Sequence, residues 1–309
     1  MRILLHRADG IVEPWIAGFA AALPHAEVII WQEGADIAPC DYAVLWAPPA
    51  GMLAHLQQVK AIFITGAGVD GILKFGGSLP EVPIIRLGDA GMALQMAEYV
   101  AHAVLRYFRR FDDYEAQARR GQWKQLAQHR KEDFSIGVMG MGVLGTRVLD
   151  SLKAFEFPLR GWSRTEKQLE GVATFCGEAG IEPFLRATRV LVCMLPLTPH
   201  TNNLLDRSRL SQLPQGAYLI NVARGALVAE PDLLTLIRSG HIAGATLDVV
   251  RNEPLPAPHP FWDEQRITLT PHMAALTLPG PSAHQIAGKI KALECGEPVA
   301  DIVDRTQGY

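Results

Sequence analysis

Short apolar runs of strand length recur through the first ninety or so residues. They fall at 2–6, 27–31, 42–46, 61–65 and 83–86. Stretches 13–23 and 52–59 between them carry helical spacing. Strands alternating with helices predict a parallel sheet covered on both faces, a small α/β domain in its own right. A longer helical pattern follows over 92–108, with Met96, Tyr99, Val100, Ala103, Val104 and Tyr107 on or near one face. From residue 136 the α/β rhythm resumes, with strand-like runs at 136–138, 159–162, 189–195, 217–222, 244–249 and 266–270. A helix opens at Glu230-Pro231-Asp232 and closes at Gly240, and a last one covers 282–294 before Gly296.

The richest stretch lies where the second rhythm begins. A strand over 136–138 runs into Gly140, Met141, Gly142, Val143, Leu144 and Gly145. Val148, Leu149, Leu152 and Phe155 then recur at helical spacing. Three glycines at this spacing suit a dinucleotide turn. One makes the tight bend, one lets the backbone approach a pyrophosphate, and one lets helix and strand pack closely. A glycine triplet alone is weak, and a turn without ligand is the bland alternative. The strand–turn–helix–strand context argues for pyrophosphate.

The next strand ends in Gly161-Trp162-Ser163-Arg164-Thr165, with Lys167 close behind. In NAD sites an acidic residue at this place accepts bonds from the ribose 2′-hydroxyl. Here no carboxylate stands to repel a 2′-phosphate, and the Arg164 guanidinium can bind that dianion with a forked pair of bonds. The expected cofactor is therefore NADP(H), held in part by Ser163, Arg164 and Thr165.

Composition changes the picture little. The 309 residues, 49% hydrophobic and 20% charged, suit a two-domain globular protein with ample core. A net charge of −3 gives no footprint for nucleic acid or an anionic membrane. The basic residues of 109–131 are diluted by Asp112, Asp113, Glu115, Glu132 and Asp133, so this stretch reads as a solvated arm or a subunit interface carrying Trp123. Cys40, Cys176, Cys193 and Cys295 are scattered, without CxxC or metal-ligand spacing, and no metal is expected. The opening apolar run is too short for a signal peptide, and a reducing cytoplasm is the expected location.

Three polar residues follow strands of the second domain: Arg224 after 217–222, Glu253 after 244–250, and His272 after 267–271. At strand carboxyl ends they can converge on one crevice. In the first domain Thr65-Gly66-Ala67-Gly68-Val69-Asp70 ends a strand, and its glycines read equally as a ligand loop or as a plain turn.

The ordered set Gly140-x-Gly142-x-x-Gly145, Asn221-Val222-Ala223-Arg224-Gly225, Asp248-x-x-x-x-Glu253-Pro254 and Thr270-Pro271-His272 resembles the D-isomer-specific 2-hydroxyacid dehydrogenases nearly end to end. Stretches 67–70, 109–114, 162–165 and 304–309 are similar, within that family, to the bacterial glyoxylate/hydroxypyruvate reductase A group. The resemblance implies two doubly wound α/β domains with a cleft between them. A flavodoxin-like substrate domain would take residues 1–98 and 280–309, and a Rossmann NADP-binding domain residues 99–279. It implies NADPH-dependent reduction of glyoxylate to glycolate and of hydroxypyruvate to D-glycerate, in a cytoplasmic homodimer.

It also supplies roles. Arg224 would hold the 2-oxo acid and polarise its carbonyl. His272, a side chain that ordinarily titrates at about 6.5, would protonate the oxygen. Glu253 would orient the imidazole and favour its protonated form. Ala67 and Gly68 would cradle the substrate carboxylate, with Trp46 and His272 shaping the pocket. Leu195, Pro196, Val222, Ala223 and Asp248 would line the cofactor site. A reductase of another 2-keto acid, phenylpyruvate-like or branched, fits the same sequence. A non-catalytic NADP(H)-sensing regulator fits it less well, because Arg224, Glu253 and His272 are all present.

Overall fold

The apolar runs at the head of the chain do pair side by side. In the computed structural model, which describes residues 1–309, strands β1 (Arg2–Arg7), β2 (Glu27–Ile30), β3 (Tyr42–Trp46), β4 (Ala61–Ile64) and β5 (Ile84–Arg86) form one sheet in the order β2-β1-β3-β4-β5. Every pairing is parallel. Continuous apolar strands such as Tyr42–Trp46 are what a sheet buried on both faces demands. The stretch read as a helix over 52–59 is a 3-10 helix, Ala50–Leu56, entered from Pro48-Pro49 with Pro49 extended. The last helix begins at Pro279, earlier than the sequence suggested, because proline is tolerated in a first turn whose N–H groups have no helical partner. It packs against the helix Glu13–Ala22, so close that a Cβ on Gly18 would lie 2.7 Å from Ala283 Cβ.

The second sheet has seven parallel strands: β6 (Ile136–Met139), β7 (Leu159–Ser163), β8 (Val172–Cys176), β9 (Val190–Cys193), β10 (Ala217–Asn221), β11 (Ile242–Leu247) and β12 (Ile267–Leu269). Their order, β12-β11-β10-β9-β6-β7-β8, reverses between β6 and β9. Open α/β sheets bind ligands outside the strand carboxyl ends at such a reversal. Helix Met92–Phe108 buries Val100, Ala103, Val104 and Tyr107 against Ile136, Val138, Tyr218 and Ile220. Each large apolar side chain so buried contributes roughly 1.5–3 kcal/mol. Tyr107 stacks on Tyr218 at 4.3 Å and donates its hydroxyl to Gly216 O. Cys193 is fully buried at the end of β9, and burial pushes its thiol up to about 12, so it is an inert core residue.

The chain divides into two units, Met1–Gly91 with Thr277–Tyr309, and Met92–Leu276. This division keeps the helix Met92–Phe108 whole within the second unit. The charged stretch after it is not all arm. Arg110, at φ 62°, turns the chain into a further helix, Phe111–Arg119, held by Arg106–Glu115 and Arg110–Asp113 ion pairs. Beyond it Trp123 is fully exposed.

Candidate active site

The glycine turn sits at the sheet reversal, and two of its glycines are sterically required. A Cβ on Gly140 would stand 2.7 Å from Met194 O, and one on Gly145 would stand 1.9 Å from Gly140 O. Gly140 also adopts φ +122°, which L side chains rarely do. Gly142 differs, since its missing Cβ faces open space. That surface, at the start of helix Val143–Lys153, is where a pyrophosphate would meet backbone N–H groups. The residues present therefore fit a dinucleotide. Leu195 and Pro196 follow β9 on the other side of the reversal.

At the end of β7, Ser163 is buried and its Oγ donates to Thr165 O at 2.7 Å, shaping the turn that presents Arg164 and Thr165 to solvent. Lys167 crosses back to donate from Nζ to Met141 O at 2.6 Å. The glycine turn and the arginine loop are thus fastened together, which spacing in the sequence did not disclose.

Next to these lie the polar residues of β10, β11 and β12. Asn221 serves the backbone: its Nδ2 donates to Arg224 O at 3.0 Å and its Oδ1 accepts from Ala223 N at 3.2 Å, folding the turn that carries Arg224. Glu253 Oε2 lies 2.7 Å from His272 Nδ1, and Oε1 accepts from Val250 N at 3.2 Å. Burial works against the ionised Glu253 carboxyl. The His272 bond and charge, the Val250 N–H and the nearby Arg224 charge outweigh burial and hold it below the usual carboxylate range. An ionised carboxylate only accepts, so Nδ1 carries the proton of that bond and Nε2 is left for other work. The structure thus brings Glu253 and His272 into contact and sets Arg224 within electrostatic reach.

Asp248 is 2% exposed and fully engaged. Its Oδ1 accepts from Thr270 Oγ1 at 2.7 Å and Met273 N at 2.8 Å, and its Oδ2 accepts from Ala274 N at 2.9 Å. Its backbone carbonyl accepts from His272 N at 2.8 Å. Since Thr270 donates to Asp248, Tyr99 Oη donates to Thr270 across 2.5 Å, and burial pushes the Tyr99 phenol up to about 12, keeping it a donor. Asp248, expected to line the cofactor site, also anchors the loop that carries His272.

In the first unit, Trp46 ends β3 and packs on Gly66, whose Cβ would fall 2.5 Å from the indole Cζ3. Ala67 and Gly68 follow, half-buried. Thr65 closes the strand, its Oγ1 accepting from Arg7 Nη1 at 3.0 Å and its carbonyl from Thr277 Oγ1 at 2.8 Å. Trp46 and the 66–68 loop are therefore neighbours within the first unit.

A model of the D-isomer-specific 2-hydroxyacid dehydrogenase NAD-binding domain matches residues 101–274. The chain belongs to that family. Among its relatives are the glyoxylate/hydroxypyruvate reductases A of Escherichia fergusonii, 49% identical, and of Yersinia enterocolitica, 45% identical, each aligned over 100% of both chains. Among solved structures, a family member from Xanthobacter autotrophicus Py2 in complex with NADPH and MES superposes with a TM-score of 0.95 at 40% identity, covering 100% of this chain and 99% of that one. An NADPH-dependent glyoxylate/hydroxypyruvate reductase from Sinorhizobium meliloti in complex with NADP and sulfate gives 0.94 at 34% identity, with the same coverage.

Proposed function

We propose that this protein reduces glyoxylate to glycolate and hydroxypyruvate to D-glycerate with NADPH. The observation that carries the reading is the 2.7 Å Glu253–His272 pair, in a chain similar over its full length to reductases of these acids. The open surface at Gly142, with Arg164 and Thr165 presented after β7, would hold the cofactor's phosphates. Val143 and Leu144 open the helix behind them, and Leu195, Pro196, Val222 and Ala223 would flank the rings. When bound, the cofactor supplies the hydride that adds to the carbonyl carbon.

The side chains do the rest. Arg224 binds the substrate carboxylate and stabilises negative charge growing on the carbonyl oxygen. His272 gives that oxygen its proton from Nε2, while Glu253 at Nδ1 fixes the ring and stabilises its positive charge. Within the first unit, the Ala67 and Gly68 N–H groups beside Trp46 would be the donors for a substrate carboxylate. We further propose a cytoplasmic homodimer. Four free cysteines support the location, and the exposed Trp123 beside its basic stretch supports a protein partner.

The test is a parallel set of initial rates with NADPH and NADH on glyoxylate, hydroxypyruvate, pyruvate and phenylpyruvate. Fast NADPH oxidation with the first two supports the reading. Turnover only with bulkier acids moves the substrate, and NADPH binding without any turnover leaves a regulator. Arg164→Ala should raise the KM for NADPH at least tenfold more than that for NADH, since charge-assisted bonds are worth about 1.5–3 kcal/mol each. Equal effects would remove Arg164 from the 2′-phosphate.

A further inference from the structure

A single guanidinium fastens together the loops that carry the reacting groups. Arg251 stands in the turn after β11, two places before Glu253. Its Nη2 donates to Asn203 Oδ1, to Ala226 O at 3.3 Å and to Val228 O at 3.4 Å. Its backbone N–H donates to Glu230 Oε1 at 2.8 Å. Asn203 belongs to the connection after β9, while Ala226 and Val228 follow Arg224 in the connection after β10. One side chain therefore joins the carboxyl-end connections of three adjacent strands. Those connections carry Leu195-Pro196, Arg224 and Glu253.

The loops it joins have little slack. A Cβ on Gly225 would fall 1.9 Å from Val250 C, so the Arg224 loop lies directly on the backbone that leads to Glu253. Asn203 N donates to Ala226 O at 2.8 Å and Leu205 N to Leu227 O at 2.9 Å, so the two earlier connections run side by side. Glu253 is bonded to the N–H of Val250, and its carboxylate follows whatever the 250–251 backbone does.

We propose that Arg251 is a positioning residue that sets the spacing between Arg224 and the Glu253–His272 pair. This rests on the reading of that pair as the acid of a 2-oxo acid reductase. Arginine suits the task because its rigid, planar guanidinium aims Nη2 at all three oxygens, where a lysine ammonium swings on a flexible stem. Loss of the guanidinium leaves the Asn203 amide oxygen and the Val228 carbonyl to find water, while Ala226 O keeps the Asn203 N–H, and the three connections lose their common tie. Arg251 is itself exposed, so its replacement opens no cavity in the core.

The experiment compares wild type with Arg251→Met and Arg251→Lys, using NADPH and glyoxylate over a range of pH. Arg251→Met should raise the KM for glyoxylate about tenfold, because sub-ångström misplacement of binding groups is costly. It should also move the fall of kcat/KM with rising pH to lower pH. NADPH affinity, read by fluorescence titration, should stay within about twofold of wild type. Arg251→Lys should recover part of both changes. A Met variant with wild-type KM and pH profile overturns the proposal, even if its melting temperature drops. Should that variant fail to fold, Asn203→Gly removes that acceptor while keeping the left-handed backbone (φ 53°) free of strain. It should raise KM about threefold with a smaller displacement of the profile; no change in either would overturn the proposal as well. A wild-type protein without turnover overturns the functional reading and this one with it. An active wild type with indifferent variants overturns this one alone.

Discussion

His272 is held at both ends of its residue. Its backbone takes a left-handed conformation, φ 52°, uncommon for a residue with a Cβ, and its N–H is bonded to Asp248 O. Its ring is bonded to Glu253. As general acid it must hold its proton, so the rate should fall as pH rises through proton release from the pair. Glu253→Gln removes the negative charge that favours the imidazolium and should move that fall to lower pH; an unchanged profile would remove Glu253 from the role. The carboxyl also has a stability signature. Its folded pKa lies below the ordinary 4.5, so its contribution is complete above 4.5 and is lost as pH drops through the depressed value. The melting-temperature gap between wild type and Glu253→Gln should persist at neutrality and close in acid. Asp248→Ala leaves the buried Ala274 N–H, the part-buried Met273 N–H and the Thr270 hydroxyl without their acceptor. It should cost about 3 kcal/mol in urea unfolding and lower kcat with NADPH affinity nearly unchanged. Weakened NADPH binding with kcat kept would instead return Asp248 to the cofactor. Arg224, Glu253 and His272 were legible in the sequence because each lies in the turn that follows an apolar strand, Arg224 and His272 three residues past its end and Glu253 six. The anchor under His272 was not. It joins residues 171 apart (Tyr99 and Thr270) and 22 apart (Thr270 and Asp248), and no local pattern encodes such bonds.

The glycine turn offers two contrasting substitutions at the scale of elements. Gly145→Ala drives a Cβ into the Gly140 carbonyl, a backbone atom that cannot swing aside. It should destabilise the protein by about 3 kcal/mol and abolish tight NADPH binding. Gly142→Ala meets open space at φ −81° and should leave the melting temperature unchanged while weakening NADPH in fluorescence titration. If Gly142→Ala binds NADPH as wild type does, no phosphate approaches there. Strands buried on both faces were legible throughout, since uninterrupted apolar runs such as 42–46 and 217–220 have few other uses. Elements on the periphery were not. β8 pairs on one side only, with β7, and its Val172-Ala173-Thr174-Phe175-Cys176 is half-exposed, so it carries no apolar run. Helix Phe111–Arg119 buries little besides Gln117 and is held by ion pairs, which in sequence resemble a solvated arm. The short helix at 50–56 tightened to 3-10 next to two prolines.

Over the whole molecule, each unit has its own parallel sheet and apolar core. The proposed cofactor residues all lie in Met92–Leu276. Calorimetry should therefore resolve two transitions. NADPH at a hundredfold excess over its Kd should raise only the one belonging to that unit, by about 2.7 kcal/mol. An equal rise of both would show that the units unfold together. The two-unit plan was legible because the α/β rhythm starts twice, and only the joints at Gly91 and Leu276 needed the structure.

Helix Pro279–Glu294 lies on helix Glu13–Ala22, and the last residues close the free edge of β5, where Val303 N meets Ile84 O at 2.8 Å and Arg86 N meets Asp301 O at 3.1 Å. On a ribosome the opening residues would emerge with that covering still unmade. At about 5–20 residues per second, the intervening 92–276 segment takes roughly ten to forty seconds to synthesise. The segment translated second is then the first able to finish folding, and the segment translated first waits with an apolar flank and a strand edge open to chaperones. A message cut short after the second unit would yield a completed Rossmann sheet joined to a leading half that has no means of closing.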